Sequence, residues 1–155
     1  MDGINDMPKK RFYRSRAHCN PLSHNDGFHY PNNPSMWDLN EHYPNNEGKI
    51  VKFLDIGMGF GGLTVALARN FPDKVVMGME IRAKVCEYVR LRIEALRSEF
   101  PGMYQNASCL RYICEHLRFI GKILIRTNCM RYLPNYFNKG QLEKIFSVSL
   151  IHILK

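Results

Sequence analysis

The chain's 155 residues, 45% hydrophobic and 23% charged, suffice for one domain with a buried core and exclude a disordered or fibrous protein. A formal net charge of +8 and a pI near 9.4 point to a polyanionic partner, nucleic acid ahead of a membrane surface. No stretch approaches the roughly 20 apolar residues of a membrane-spanning helix, and the first residues lack the apolar centre of a signal peptide.

Cys19, Cys86, Cys109, Cys114 and Cys129 form an odd set without a C-x-x-C pair, so they carry no zinc signature. The expected setting is the cytosol or nucleus, with reduced thiols.

Residues 1–48 are rich in Asn, Pro, His and Tyr and hold no sustained period. This predicts an extended or loosely ordered arm ahead of a domain over 49–155. Inside the arm, "KKRFYRSRAH" sets Lys9, Lys10, Arg11, Arg14 and Arg16 around Phe12 and Tyr13. Cationic side chains suit phosphates and aromatic rings suit unstacked bases, so these five are candidate RNA contacts. A flexible basic tail is the alternative.

From Lys49 the texture changes. "IVKFLDIG" is a short, β-branched apolar run stopped by glycine and predicts a buried strand. "LTVALARNF" predicts a short helix closed by Pro72, and "KVVMGME" a second buried strand. In "IRAKVCEYVRLRIEALRSEF", Val85, Val89, Ile93, Leu96 and Phe100 fall near one face, which predicts an amphipathic helix ended by Pro101 and Gly102. "QNASCL" is a candidate third strand. The βαβαβ order is half of a doubly wound α/β fold.

Gly57, Gly59 and Gly62 satisfy G-x-G-x-x-G, the dinucleotide fingerprint, while Gly57, Gly59 and Gly61 satisfy G-x-G-x-G. Glu80 closes the second strand, where a carboxylate can accept hydrogen bonds from both ribose hydroxyls of an adenosine. That fits NAD and S-adenosylmethionine equally. Asp55 favours the methyl donor: a negative charge just before the first glycine repels a pyrophosphate and suits a cationic methionine end. An NAD-dependent oxidoreductase and a purely structural turn remain the alternatives.

Together "KKRFYRSRAHCNP", "DIGMGFGGL", "FPDKVVMGMEIRAKV", "RIEALR" and "LPNYFNKGQLEKIF" resemble the eukaryotic tRNA (guanine-N7-)-methyltransferase family. The resemblance implies a class I Rossmann-like methyltransferase that uses S-adenosylmethionine to methylate N7 of a guanine in the tRNA variable loop. It further implies a nuclear heterodimer with a non-catalytic WD-repeat subunit. By the same resemblance Gly57 lies in the cofactor loop, Glu80 with Ile81 holds the adenosine, Arg82 belongs to the same patch, and Asn128 and Cys129 flank the adenine. Cys129 stands where the family usually has alanine.

Two departures stand out. Residues 112–126, "YICEHLRFIGKILIR", separate motifs that lie nearly adjacent in the family; a helix is one possible form for them, because Ile113, Leu117, Ile120 and Leu124 share a face. The final "SVSLIHILK" stands where the family has a strand and "FPDPHFK", whose aspartate is assigned to catalysis. One back-translation of Phe146–Lys155, read two bases later, gives that segment. The expectation is a sheet shortened after about strand four with no catalytic residue to nominate, and either a weak enzyme or an inactive isoform that keeps tRNA or partner binding.

Overall fold

The computed structural model describes residues 6–15, 31–111, 119–120, 123–124 and 133–147. Strand β1 (Val51–Ile56), helix α1 (Gly62–Asn70), strand β2 (Val75–Glu80), helix α2 (Ala83–Glu99) and strand β3 (Ala107–Arg111) follow in the predicted order. Beyond them lie β4 (Phe119–Ile120), β5 (Ile123–Leu124), the short α3 (Leu133–Tyr136) and β6 (Lys144–Ser147).

The sheet runs β3-β2-β1-β6, with every pair parallel. The chain winds outward from β1 through β2 to β3, then returns to the other edge of β1. In such sheets ligands bind outside the carboxyl ends of the strands, at the point where the order reverses. Here that point is the end of β1.

A parallel strand covered on both faces is apolar almost throughout, and all six residues of β2 are buried. Alternation divides the core into two layers. On one face Phe53 and Val76 meet Val65, Leu67 and Ala68 of α1 and Tyr88, Val89, Ile93 and Leu96 of α2. Right-handed crossovers put successive helices on the same side, as found here. On the other face Leu54, Ile56, Met77 and Met79 meet Tyr43, Leu133, Tyr136 and Phe137.

That second layer corrects the expectation of a loosely ordered arm through residue 48. Tyr43 is buried and its hydroxyl donates to the Val76 carbonyl at 2.9 Å. The Trp37 ring stands edge-on to Tyr136 and Phe137. Residues 31–48 are thus a packed cover built from isolated anchors on two 3-10 turns, Pro34–Met36 and Leu39–Glu41. Isolated anchors leave no period in a sequence.

Two smaller readings also change. Within 112–126 the described residues are not helical: Phe119 and Ile120 pair antiparallel with Leu124 and Ile123. Aromatic and β-branched residues suit such a ladder. Phe100 is not on the buried face of α2. The following Pro101 disfavours helical backbone at residue 100; Phe100 sits at φ −124° as the cap and is 41% exposed.

Candidate cofactor-binding site

Between β1 and α1 the chain makes a tight loop over the end of β2, with the Gly57 and Met58 amides both donating to the Met79 carbonyl at 2.8 and 3.0 Å. Gly57, Gly59 and Gly61 all have left-handed backbone, at φ +71°, +56° and +77°. Gly61 is also a close-approach position: a Cβ there would lie 2.8 Å from Val89 Cγ1, so its absence lets α1 start against α2. A Cβ at Gly62, by contrast, would meet nothing within 4 Å. The required glycines are therefore spaced as G-x-G-x-G, and the G-x-G-x-x-G match is incidental.

Glu80 is the loop's acidic partner and is 4% exposed. Its Oε2 accepts from the Gly59 amide at 3.1 Å and its Oε1 from the Arg82 amide at 3.0 Å. The Arg82 guanidinium adds a fork, Nε to Oε1 and Nη2 to Oε2, both at 3.0 Å. Burial, the largest single influence, pushes the carboxyl up; the hydrogen bonds and charge of Arg82, with the Gly59 amide, outweigh it and hold Glu80 below the ordinary glutamate value. Glu80 is an ionised acceptor fixed beside the glycine loop.

Asp55 lies beneath that loop with no exposed surface, its Oδ2 accepting from the Thr64 hydroxyl at 2.8 Å. Its Oδ1 is buried and has no hydrogen-bond partner among the described residues. Burial is the main influence on Asp55 and pushes its carboxyl up, against the opposing pull of Thr64. It is thus a buried acceptor beneath the loop, with its charged form disfavoured by burial.

The structure brings Gly57, Glu80, Ile81 and Arg82 together, with the Ile81 carbonyl accepting from Arg111 Nε at 3.3 Å. Asn128, Cys129 and Arg16 lie outside the described residues. Lys9, Lys10, Arg11 and Arg14 lie in the arm's first described stretch, which docks beside the glycine loop: Lys10 Nζ is 5.5 Å from the centre of the Phe60 ring, and Tyr13 stands edge-on to Tyr88. Phe12 is exposed beneath the Arg11 guanidinium.

Several residues of the site were not nominated from sequence. Phe60 and Tyr88 form the aromatic seat for the arm, and Arg92 Nη1 holds the Phe60 carbonyl at 3.0 Å. Gly78 lets the loop sit down on β2, since a Cβ there would fall 2.8 Å from Thr64 Oγ1. Only the glycine itself was visible as a signal.

A cavity of about 320 Å³ lies at the opposite end of the sheet, against Asn46, Arg69, Asp73 and Tyr104, and includes none of these site residues. Among the described residues no cluster of His, Cys, Asp and Glu is placed to hold a metal ion.

Fold and glycine loop together define an α/β Rossmann-like domain of the methyltransferase kind. Over residues 49–148 the chain matches the family model described as "Putative methyltransferase", and it belongs to that methyltransferase family. It is 49% identical over 140 residues to the tRNA (guanine-N(7)-)-methyltransferase of Anopheles gambiae, covering 90% of this chain and 53% of the relative. The protein of that name from Oryza sativa subsp. indica is 45% identical over 153 residues, again 90% of this chain and 53% of the relative. The chain spans about half the length of the curated relatives it matches.

Proposed function

We propose that this chain carries the S-adenosylmethionine half-site of a tRNA guanine-N7 methyltransferase acting on the variable loop. The observation that carries the reading is the trio of left-handed glycines at 57, 59 and 61 set against the buried carboxylate of Glu80. The residues fit the group. Glu80 suits a ribose diol, the loop lets a ligand approach backbone without Cβ interference, and Asp55 Oδ1, without a partner among the described residues, is an acceptor left for an ammonium or a water. Bound there, S-adenosylmethionine would supply an electrophilic methyl group. Guanine N7 is already nucleophilic, so the protein's task is chiefly positioning.

The tRNA assignment draws on the names of the similar proteins and on the basic arm beside the loop. Lys9, Lys10, Arg11 and Arg14 would engage phosphates, which sets a backbone next to the methyl donor. The proposal extends to a WD-repeat partner subunit and a nuclear setting, as the family resemblance implies. Isothermal titration of S-adenosylmethionine into the chain, alone and with that subunit, is the direct test. Saturable heat near one equivalent is expected; heat with NAD and none with S-adenosylmethionine would reverse the assignment. Transfer of labelled methyl to tRNA then tests turnover.

A second reading, a form that binds tRNA without turnover, rests on the basic arm's docking beside the glycine loop through Lys10 and Tyr13. Steeply salt-dependent tRNA binding with no methyl transfer, despite bound S-adenosylmethionine, would favour it.

A further inference from the structure

An ionised carboxylate offers about four acceptor positions, two on each oxygen. All four of Glu80's are taken. Two go to backbone amides, Gly59 on Oε2 and Arg82 on Oε1. Both are main-chain donors, set by the loop and by the turn after β2. The other two go to the Arg82 guanidinium, as two parallel N–H donors at 3.0 Å. A vicinal diol presents the same motif, two neighbouring O–H donors to one carboxylate, so a ribose and this guanidinium compete for the same pair of positions.

We propose that Arg82 is a stand-in for the ligand's ribose diol, holding Glu80's ligand-facing lone pairs in the unliganded protein and exchanging with the ribose on binding. This rests on the cofactor reading of the site given above. Arg82 is then a specificity-determining residue with two effects. It keeps a buried carboxylate paired when no ligand is present, and unpaired buried charge is costly. It also sets the net gain from each ribose hydroxyl, because every hydrogen bond the diol makes to Glu80 replaces one from the guanidinium.

The consequence is counterintuitive. In the native chain the discrimination between a ribose and a dideoxyribose is muted, because the dideoxy ligand leaves the Arg82 fork in place. Removing the fork leaves Glu80 with acceptors that only the diol can fill.

The test compares S-adenosylhomocysteine with its 2′,3′-dideoxy analogue by isothermal titration into the native chain and into Arg82→Met, which keeps side-chain length. Arg82→Lys serves as a second variant, retaining the charge without the fork. The ratio of the two dissociation constants is expected to grow by about 10-fold or more in Arg82→Met, the usual worth of a hydrogen bond to a charged group. In the native chain, the Arg82 Nε–H resonance is expected to shift on saturation with S-adenosylhomocysteine and to stay in place with the dideoxy analogue.

An unchanged ratio would overturn the proposal, as would an equal weakening of both ligands, which would mark Arg82 as a direct or merely structural contact. A folded native chain that binds neither compound would overturn the cofactor reading as well, so the two failures are told apart.

Discussion

Gly61 and Gly62 stand side by side and should respond oppositely to the same methyl group. At Gly61 a Cβ meets Val89 at 2.8 Å and the backbone is left-handed, so Gly61→Ala is expected to lose about 2–3 kcal/mol of stability. Measured against Val89→Ala, which carries its own cavity cost, the Gly61→Ala loss should shrink by the part due to the clash and keep the backbone part. Gly62 opens α1 with open space around it, and Gly62→Ala should be neutral or stabilising by up to about 1 kcal/mol. Urea titrations of the three variants measure both. Equal losses at the two positions would put the G-x-G-x-G assignment in doubt.

The two buried carboxyls pull the pH profile in opposite directions. Asp55 is raised by burial, so its contribution to stability is fully present below its unfolded value and is lost as pH rises through its folded value. Glu80 is lowered, chiefly by Arg82 acting against burial, so its contribution is present above its unfolded value and is lost as pH falls through its folded one. Asp55→Asn should therefore flatten the decline in stability from roughly pH 4 toward neutrality, where an ordinary aspartate has already finished titrating. Urea midpoints across that range check it, and an unaltered slope would mean that Asp55 titrates as if exposed.

At the level of elements, one side chain from the loop before β3 finishes α1. Asn106 Nδ2 lies within hydrogen-bond distance of the Ala68, Phe71 and Lys74 carbonyls, at 3.0, 3.0 and 2.8 Å. These carbonyls belong to the end of α1 and the turn after it, where helical partners run out. Asn106→Ala is expected to cost about 2 kcal/mol, and faster amide exchange should be confined to the last turn of α1 and the start of β2. Exchange that quickens uniformly would mean a global effect instead.

The elements most legible in the sequence were those whose burial repeats. β1, β2 and α2 carry apolar runs or a helical face long enough to announce themselves, and the end of α2 followed from Pro101. Glu80's place at the end of β2 was readable for the same reason. The choice between the two glycine patterns was not, because it depends on Val89, a residue of the next helix. Trp37 and Tyr43 were hidden for another reason: each is a single anchor whose burial is decided by β2 and α3, far away in sequence. Of segment 112–126 only residues 119–120 and 123–124 are described, and there Ile120 and Leu124, counted on one helical face from the sequence, lie on the two strands of a short ladder.

For the molecule as a whole, the +8 charge gains a location. Lys9, Lys10, Arg11 and Arg14 lie on the stretch held next to the glycine loop by Lys10 on Phe60 and Tyr13 on Tyr88. If these side chains neutralise phosphates, replacing Lys9, Lys10, Arg11 and Arg14 with alanine should reduce the slope of log affinity for tRNA against log salt by roughly 3. S-adenosylmethionine affinity should change little. Filter binding from low to moderate salt measures the slope, and an unaltered one would place the phosphate contacts elsewhere.

The central strand of the sheet has unequal neighbours in time. Phe53 pairs with Val76 on one side, and on the other with Lys144, close to the last described residue. A ribosome releases β2 soon after β1, so the first half of the domain can begin to collapse while synthesis continues. The other flank of β1 then stays open until nearly everything in between has emerged. Parallel pairings of this separation close slowly, and a bare strand edge invites association with other nascent chains. Sheet order thus makes yield in the cell sensitive to translation speed and chaperone supply, even for a variant whose final stability is unaltered.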